Sequence, residues 1–217
     1  MNERKFVQEN IKRVLLKEYL RRATDAAGFG GIEIQRTPLG TRIILEVEKP
    51  GLVIGKKGDK IKEITSVIEK EYKIENPQIE VKQSEKPNLN SLIMAKKIAS
   101  ALESGWHFRR AGHSTLKRIM DSGAKGAQIT IGGRIGGDRG RREKFTAGKI
   151  KYSGKPAESM FIGYAVAKTK PGIIGVTVKI LTPDKKLPDE ITIVEKKEVK
   201  ESNKDGRVKN EGDTTVK

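Results

Sequence analysis

Lys49-Pro50-Gly51-Leu52-Val53-Ile54-Gly55-Lys56-Lys57-Gly58-Asp59-Lys60-Ile61-Lys62-Glu63-Ile64 is the stretch from which the fold of this chain can be worked out. An apolar triplet, Leu52, Val53 and Ile54, stops at Gly55; two lysines and Gly58 follow. Beyond them Ile61, Ile64, Ile68 and Tyr72 recur at helical spacing with charges between. Asp59 sits where a first-turn carboxylate suits the positive helix end. The segment therefore reads as short helix, G-K-K-G, longer helix. Glycine tolerates positive φ and leaves no Cβ in the way of a ligand backbone. The free N–H groups of the second helix point at the loop and favour phosphate there. Gly55, Lys56, Lys57, Gly58 and Lys60 are the resulting candidates for a phosphate site. The alternative is a tight helix–helix turn with solvated lysines.

The flanking text decides what such a loop belongs to. Ile32 and Ile34 alternate with Glu33 and Gln35 ahead of Pro38-Leu39-Gly40. Ile43, Leu45 and Val47 then alternate with Ile44, Glu46 and Glu48, and Pro77 to Lys82 alternate again after the long helix. Strand, strand, helix, GKKG, helix, strand, preceded by a further helix, resembles a type II KH domain, αββααβ. A KH domain clamps the backbone of single-stranded nucleic acid in its G-x-x-G loop. The four letters are common by chance; the order around them carries the resemblance.

Composition narrows the partner. The chain has 217 residues with 45 Lys and Arg against 28 Asp and Glu, a formal net charge of +17, which asks for a polyanion, nucleic acid or an acidic membrane surface. Residues 105–155 alone hold 13 basic and 3 acidic residues, so the main phosphate footprint lies downstream of the GKKG loop. Aromatics are 5%, too few for an aromatic RNA-binding sheet, and the absence of cysteine excludes disulfides and thiolate metal sites. No apolar run approaches the roughly 20 residues of a membrane span, and the N-terminus has no signal-peptide core. A cytoplasmic protein without a membrane partner is expected. The G-x-x-x-x-G-K-[ST] phosphate motif is absent, and Gly28-Phe29-Gly30-Gly31 fails the dinucleotide spacing at Glu33. No enzyme, cofactor or metal is expected. His107 and His113 are the only histidines and read as packing or phosphate contacts.

Residues 4–26 read as an amphipathic helix with Val7, Ile11, Val14, Leu15 and Leu20 on one side and Lys12, Arg13, Lys17, Arg21 and Arg22 interspersed, facing phosphate or solvent. Ser84-Glu85-Lys86-Pro87-Asn88 has linker chemistry, which sets domains at 1–86 and 87–183 and a charged, largely disordered tail at 184–217. Within that tail Ile191 to Val194 are able to dock. The second domain reads as α+β, two helices packed on a small antiparallel sheet. One helix starts at Asn90 or Ser91 and ends at Gly105; the other spans Phe108 to Asp121. On the latter Arg109, Arg110, His113 and Lys117 fall within one quadrant, with Arg118 adjacent in sequence. Ile129 and Ile131 mark a strand that Gly132-Gly133 interrupts. Residues 136–144 read as a glycine- and arginine-rich loop whose composition suits a mobile phosphate-binding hairpin, so Arg134, Arg139, Arg141, Arg142 and Lys144 join the candidates. Phe161 to Lys168 and Ile173 to Leu181 read as strands about a Lys170-Pro171-Gly172 turn.

Taken together, VIGKKGDKI, FRRAGHSTLKRIMDSGAKG, ITIGGRI and the closing Pro171 to Ile180 strand resemble the universal KH-containing protein of the small ribosomal subunit, the ribosomal protein S three family, in an archaeal style. The resemblance covers about residues 4–194. It implies a structural component of the subunit head, bound to small-subunit rRNA and neighbouring head proteins and lining the mRNA entry tunnel. It also implies that Arg109 and Arg110 match positions that face incoming mRNA and support its unwinding. Bacterial relatives carry a lysine three residues after the second arginine. Here His113 stands there, with Lys117 and Arg118 one turn on. The competing reading is a free-standing KH protein that binds single-stranded RNA.

Overall fold

The structure, a computed structural model, describes residues 2–188 apart from 38, 39, 73, 75 and 186. The expected disorder of the tail from 189 and the docking of Ile191 to Val194 lie outside the described residues.

Ile43, Leu45 and Val47 are wholly buried, and the alternation that puts them on one face leaves Ile44 and Glu46 half-buried on the other. Their strand, β2 (Gly40–Val47), is the centre of a three-stranded sheet, antiparallel to β1 (Phe29–Thr37) and parallel to β3 (Pro77–Gln83). A parallel neighbour requires a crossover. Here α2 (Pro50–Ile54) and α3 (Asp59–Tyr72) supply it and cover the sheet with Val53, Ile64 and Ile68. Leu16 and Leu20 of α1 (Asn2–Ala23) complete this core. The αββααβ order read from the sequence is the order observed. Tyr19 and Tyr72 tie α1 to α3, ring centroids 5.8 Å apart; burial, then the Glu71 carboxylate, push both phenols up.

The face of α1 differs from expectation. Val7, Ile11, Val14 and Leu15 do not share a side with Leu20; they are 54%, 52%, 66% and 54% exposed. The helix is apolar on two opposite sides, and the sheet covers only the one carrying Leu16 and Leu20. Periodicity reports that apolar residues cluster, not which cluster the sheet takes.

The second sheet has the order β5-β4-β7-β6, antiparallel throughout, from β4 (Gly126–Gly133), β5 (Arg141–Gly148), β6 (Phe161–Thr169) and β7 (Gly172–Leu181). Ile129, Ile131, Val176, Val178 and Ile180 line one face, against α4 (Ser91–Glu103) and α5 (Phe108–Asp121). Two expectations fail here. Gly132 and Gly133 do not interrupt β4; they pair with Arg142 and Arg141 on one side and with Gly175 and Ile174 on the other. The hairpin expected here is present, β4 turning back into β5, but its loop is shorter than expected: Arg141, Arg142 and Lys144 lie on the strand, because pairing with β4 supplies the order that their composition lacks. A short helix, α6 (Lys155–Glu158), precedes a small cluster of Met160, Leu181 and Leu187. Among the described residues no helix is long and apolar enough to cross a membrane.

The two sheets belong to one compact unit, residues 1–187. Asn90 is the joint. Its Oδ1 accepts from Leu92 N at 3.1 Å, capping α4, while its Nδ2 donates to Gly30 O at 3.0 Å. Lys97 pairs with Glu48 at 2.8 Å, and Lys96 with Asp25.

Candidate nucleic-acid interface

In the GKKG segment α2 ends at Gly55, whose φ is 75°, and a single 3-10 turn, Lys56–Gly58, leads straight into α3. Lys57 has φ 53° and Gly58 φ 80°, so the loop is held in left-handed backbone that L side chains rarely adopt. A Cβ at Gly55 would come within 3.0 Å of Lys60 Cγ. The absent side chain therefore lets the Lys60 stem lie against the loop. Lys56 and Lys57 are exposed. The sequence-derived residues of this loop are thus adjacent in space, and strain at Lys57 marks a loop held in an unusual shape.

Neutralising two phosphate contacts on a single strand lowers the salt slope of log K by roughly 1.4. Lys56→Gln with Lys57→Gln is accordingly expected to flatten the slope for single-stranded RNA by about that much, with an unchanged circular dichroism spectrum. A slope equal to the parent's would make the loop a plain turn.

The second group sits on α5. Ala111, Gly112, Leu116 and Ile119 are its buried residues. At about 100° per residue, Arg110 and Lys117 point directly away from them, with Arg109, His113 and Arg118 on the flanks. All five are exposed. Gly112 lets the helix sit low on the sheet: a Cβ there would lie 2.6 Å from the Phe145 ring of β5. His113 meets the same ring edge-on at 4.9 Å between centroids, so it is a packed residue as well as a surface one. His107 caps the helix, its Nδ1 accepting from Arg109 N at 3.4 Å.

Strand alternation divides the remaining candidates. Arg141 lies on the same side of β5 as Phe145, the α5 side; Arg142 and Lys144 lie on the opposite face. Arg134 and Arg139 are exposed in the β4–β5 connection, and Arg134 reaches the turn before β7, donating to Pro171 O at 3.4 Å. The structure thus gathers the α5 residues and Arg141 along one side and separates them from Arg142 and Lys144.

A few cations around the first sheet are paired, Arg42 with Glu80, Arg36 with Glu9 at 3.0 Å and Arg22 with Glu18 at 3.1 Å, whereas Lys56, Lys57 and Lys60 of the GKKG loop are in no ion pair among the described residues. Among the described residues no ion pair engages Arg109, Arg110, Lys117, Arg118 or Arg141. Uncompensated exposed cations on one rigid helix form a surface for phosphates. Sequence reasoning missed two aromatic contacts beside them. The Arg110 guanidinium lies 4.9 Å from the Trp106 ring centroid, and that of Arg109 5.7 Å from the Phe108 ring. The signal was the run Trp106-His107-Phe108 ahead of the arginines, hidden by the low aromatic total.

Comparison with known sequences completes the picture. The KH domain profile matches residues 15–88, and the profile for the C-terminal domain of ribosomal protein S3 matches residues 98–180. The small ribosomal subunit protein uS3 of Methanocaldococcus jannaschii is 51% identical over 201 residues, 92% of this chain and 97% of that protein. The chain belongs to the uS3 family. The uS3 of Thermoplasma volcanium is 53% identical over 89% of this chain and 86% of its own length; that of Methanocella arvoryzae, 53% over 88% and 69%. The two profile matches fall one on each sheet, the KH domain match on the GKKG half and the S3 C-terminal match on α5 and its sheet.

Proposed function

We propose that the chain is a structural, non-enzymatic component of the small ribosomal subunit, in the cytoplasm, binding small-subunit rRNA and neighbouring head proteins and presenting α5 to mRNA at the mRNA entry tunnel. Membership of the uS3 family over about nine-tenths of the chain supports the ribosomal role. The observation that carries the RNA contact is the set of exposed, unpaired cations on α5. Gripping strand backbones without reading bases holds separated strands apart, and it needs no nucleotide hydrolysis by the chain itself. Sedimentation separates this reading from a free-standing KH protein: a tagged chain is expected to travel with small subunits through a high-salt wash and to crosslink to their rRNA. Recovery only in the light fractions would overturn it. The domains at 1–86 and 87–183 remain the proposed division of labour, with the GKKG loop and α5 as separate RNA contacts.

The apolar stripe of α1 supports the protein partners. Val7, Ile11 and Val14 follow one another by four and three residues, the spacing of a helix–helix seam, and stand in water. Ile11→Gln with Val14→Gln is expected to change stability by no more than about 0.5 kcal/mol, while incorporation into subunits falls. Normal incorporation would remove α1 from the docking surface.

A further inference from the structure

Trp106 is the single tryptophan of the chain, and it is left 44% exposed in the turn between α4 and α5. An indole buries a large area when it packs, so one standing half in water beside uncompensated cations is informative. Its position does not depend on its ring: the backbone N–H donates to Ala101 O at 3.0 Å. Arg110 lies over the ring at 4.9 Å from the centroid, fixing the indole and bringing a phosphate-binding fork beside a flat π surface. The next two residues, His107 and Phe108, hold their rings 4.4 Å apart between centroids at a tilt of 32°, and Arg109 sits on Phe108. Rings and guanidinium groups therefore interleave at the head of α5, the arrangement that holds a sugar-phosphate chain and its bases together.

We propose that Trp106, with Arg110 stacked on it, is a base-stacking site that takes an unpaired nucleobase of RNA whose phosphates lie on α5. The proposal rests on the reading of α5 as an RNA contact and adds selectivity to it. Bases in a duplex are already stacked and have no free face to offer, whereas every unpaired base has one. The site thus favours single strands over duplex without favouring a sequence. A pair serving only to staple the α4–α5 turn would respond to neither.

The sole tryptophan makes its own fluorescence the probe. The full-length chain is titrated with a short oligoadenylate, with an RNA duplex of the same length and with inorganic polyphosphate as a charge-only ligand, while anisotropy of labelled ligand follows binding. Oligoadenylate is expected to quench Trp106 strongly at saturation, and duplex and polyphosphate to bind with little quenching. Trp106→Leu is expected to weaken oligoadenylate about tenfold, the loss of one stacked base, and to leave polyphosphate unchanged; Trp106→Phe retains most of the affinity. Saturating oligoadenylate without a fluorescence change sinks the stacking site and leaves α5 as an RNA contact. Equal weakening of oligoadenylate and polyphosphate by Trp106→Leu also sinks it. Absence of RNA binding by the parent chain removes both.

Discussion

Ribosomes carrying Arg109→Ala with Arg110→Ala are expected to assemble normally and to slow sharply at a hairpin placed at the mRNA entry tunnel. The two guanidinium groups stand one residue apart on α5, diverging by about 100°, with His113 and Lys117 beside them. No carboxylate among the described residues neutralises them. A charge-assisted contact is worth about 1.5–3 kcal/mol. Opening one base-pair step costs on the order of 1.4 kcal/mol. Two lost contacts are therefore comparable to about two to four steps of strand separation, a slowing of roughly a hundredfold or more where opening limits the rate. Unstructured messages present no such barrier and are expected to pass at near-parental speed. Equal slowing on both templates would indicate a general binding defect, and unchanged speed on both would leave the arginines as a solvated face. Arg110→Lys separates two contributions of that residue: it keeps the charge for phosphate and loses the planar stack on Trp106.

What could be read from the chain in advance follows from how local each signal is. The GKKG loop was legible because its glycines, lysines and the Ile61, Ile64 and Ile68 spacing lie within one short stretch. Strand β2 was legible because its buried residues alternate without exception. β5 was not, since Arg-Arg-Glu-Lys-Phe-Thr-Ala-Gly has one large apolar residue, and its order comes from pairing with β4. The apolar residues of α1 are legible but the side they pack on is not, because a helix with two apolar faces gives no internal clue to which one the sheet covers. On α5 the charges were legible at 100° per residue. Their neighbours were not: the contacts of Gly112 and His113 with Phe145 span more than thirty residues of sequence, and Trp106 lies outside α5 and its periodicity.

A single methyl group at Gly163 is expected to destabilise the chain by about 3 kcal/mol or more, at the upper end of what overpacking costs. Gly163 lies in β6 opposite Val178, in a series with Ala165 and Ala167, both buried under α4. A Cβ at 163 would lie 2.1 Å from Ser91 O, 2.3 Å from Ser91 C and 2.7 Å from Leu92 N. These are backbone atoms, so no rotamer change relieves the clash; the first turn of α4 has to lift. That turn is held from the other side, by the Asn90 cap on Leu92 N and by Asn90 Nδ2 on Gly30 O. Lifting it costs those bonds as well as the packing of Met94 and Ala95, which are almost wholly buried. Against a typical domain stability of roughly 5–15 kcal/mol, such a loss is visible in chemical denaturation at room temperature. Gly51→Ala is the matched control. It lies in α2 with nothing within 4 Å of the added carbon, and it is expected to be neutral or stabilising by up to about 1 kcal/mol. Equal stabilities for Gly163→Ala and the parent would mean that α4 stands farther from β6 than the Ser91 contact requires.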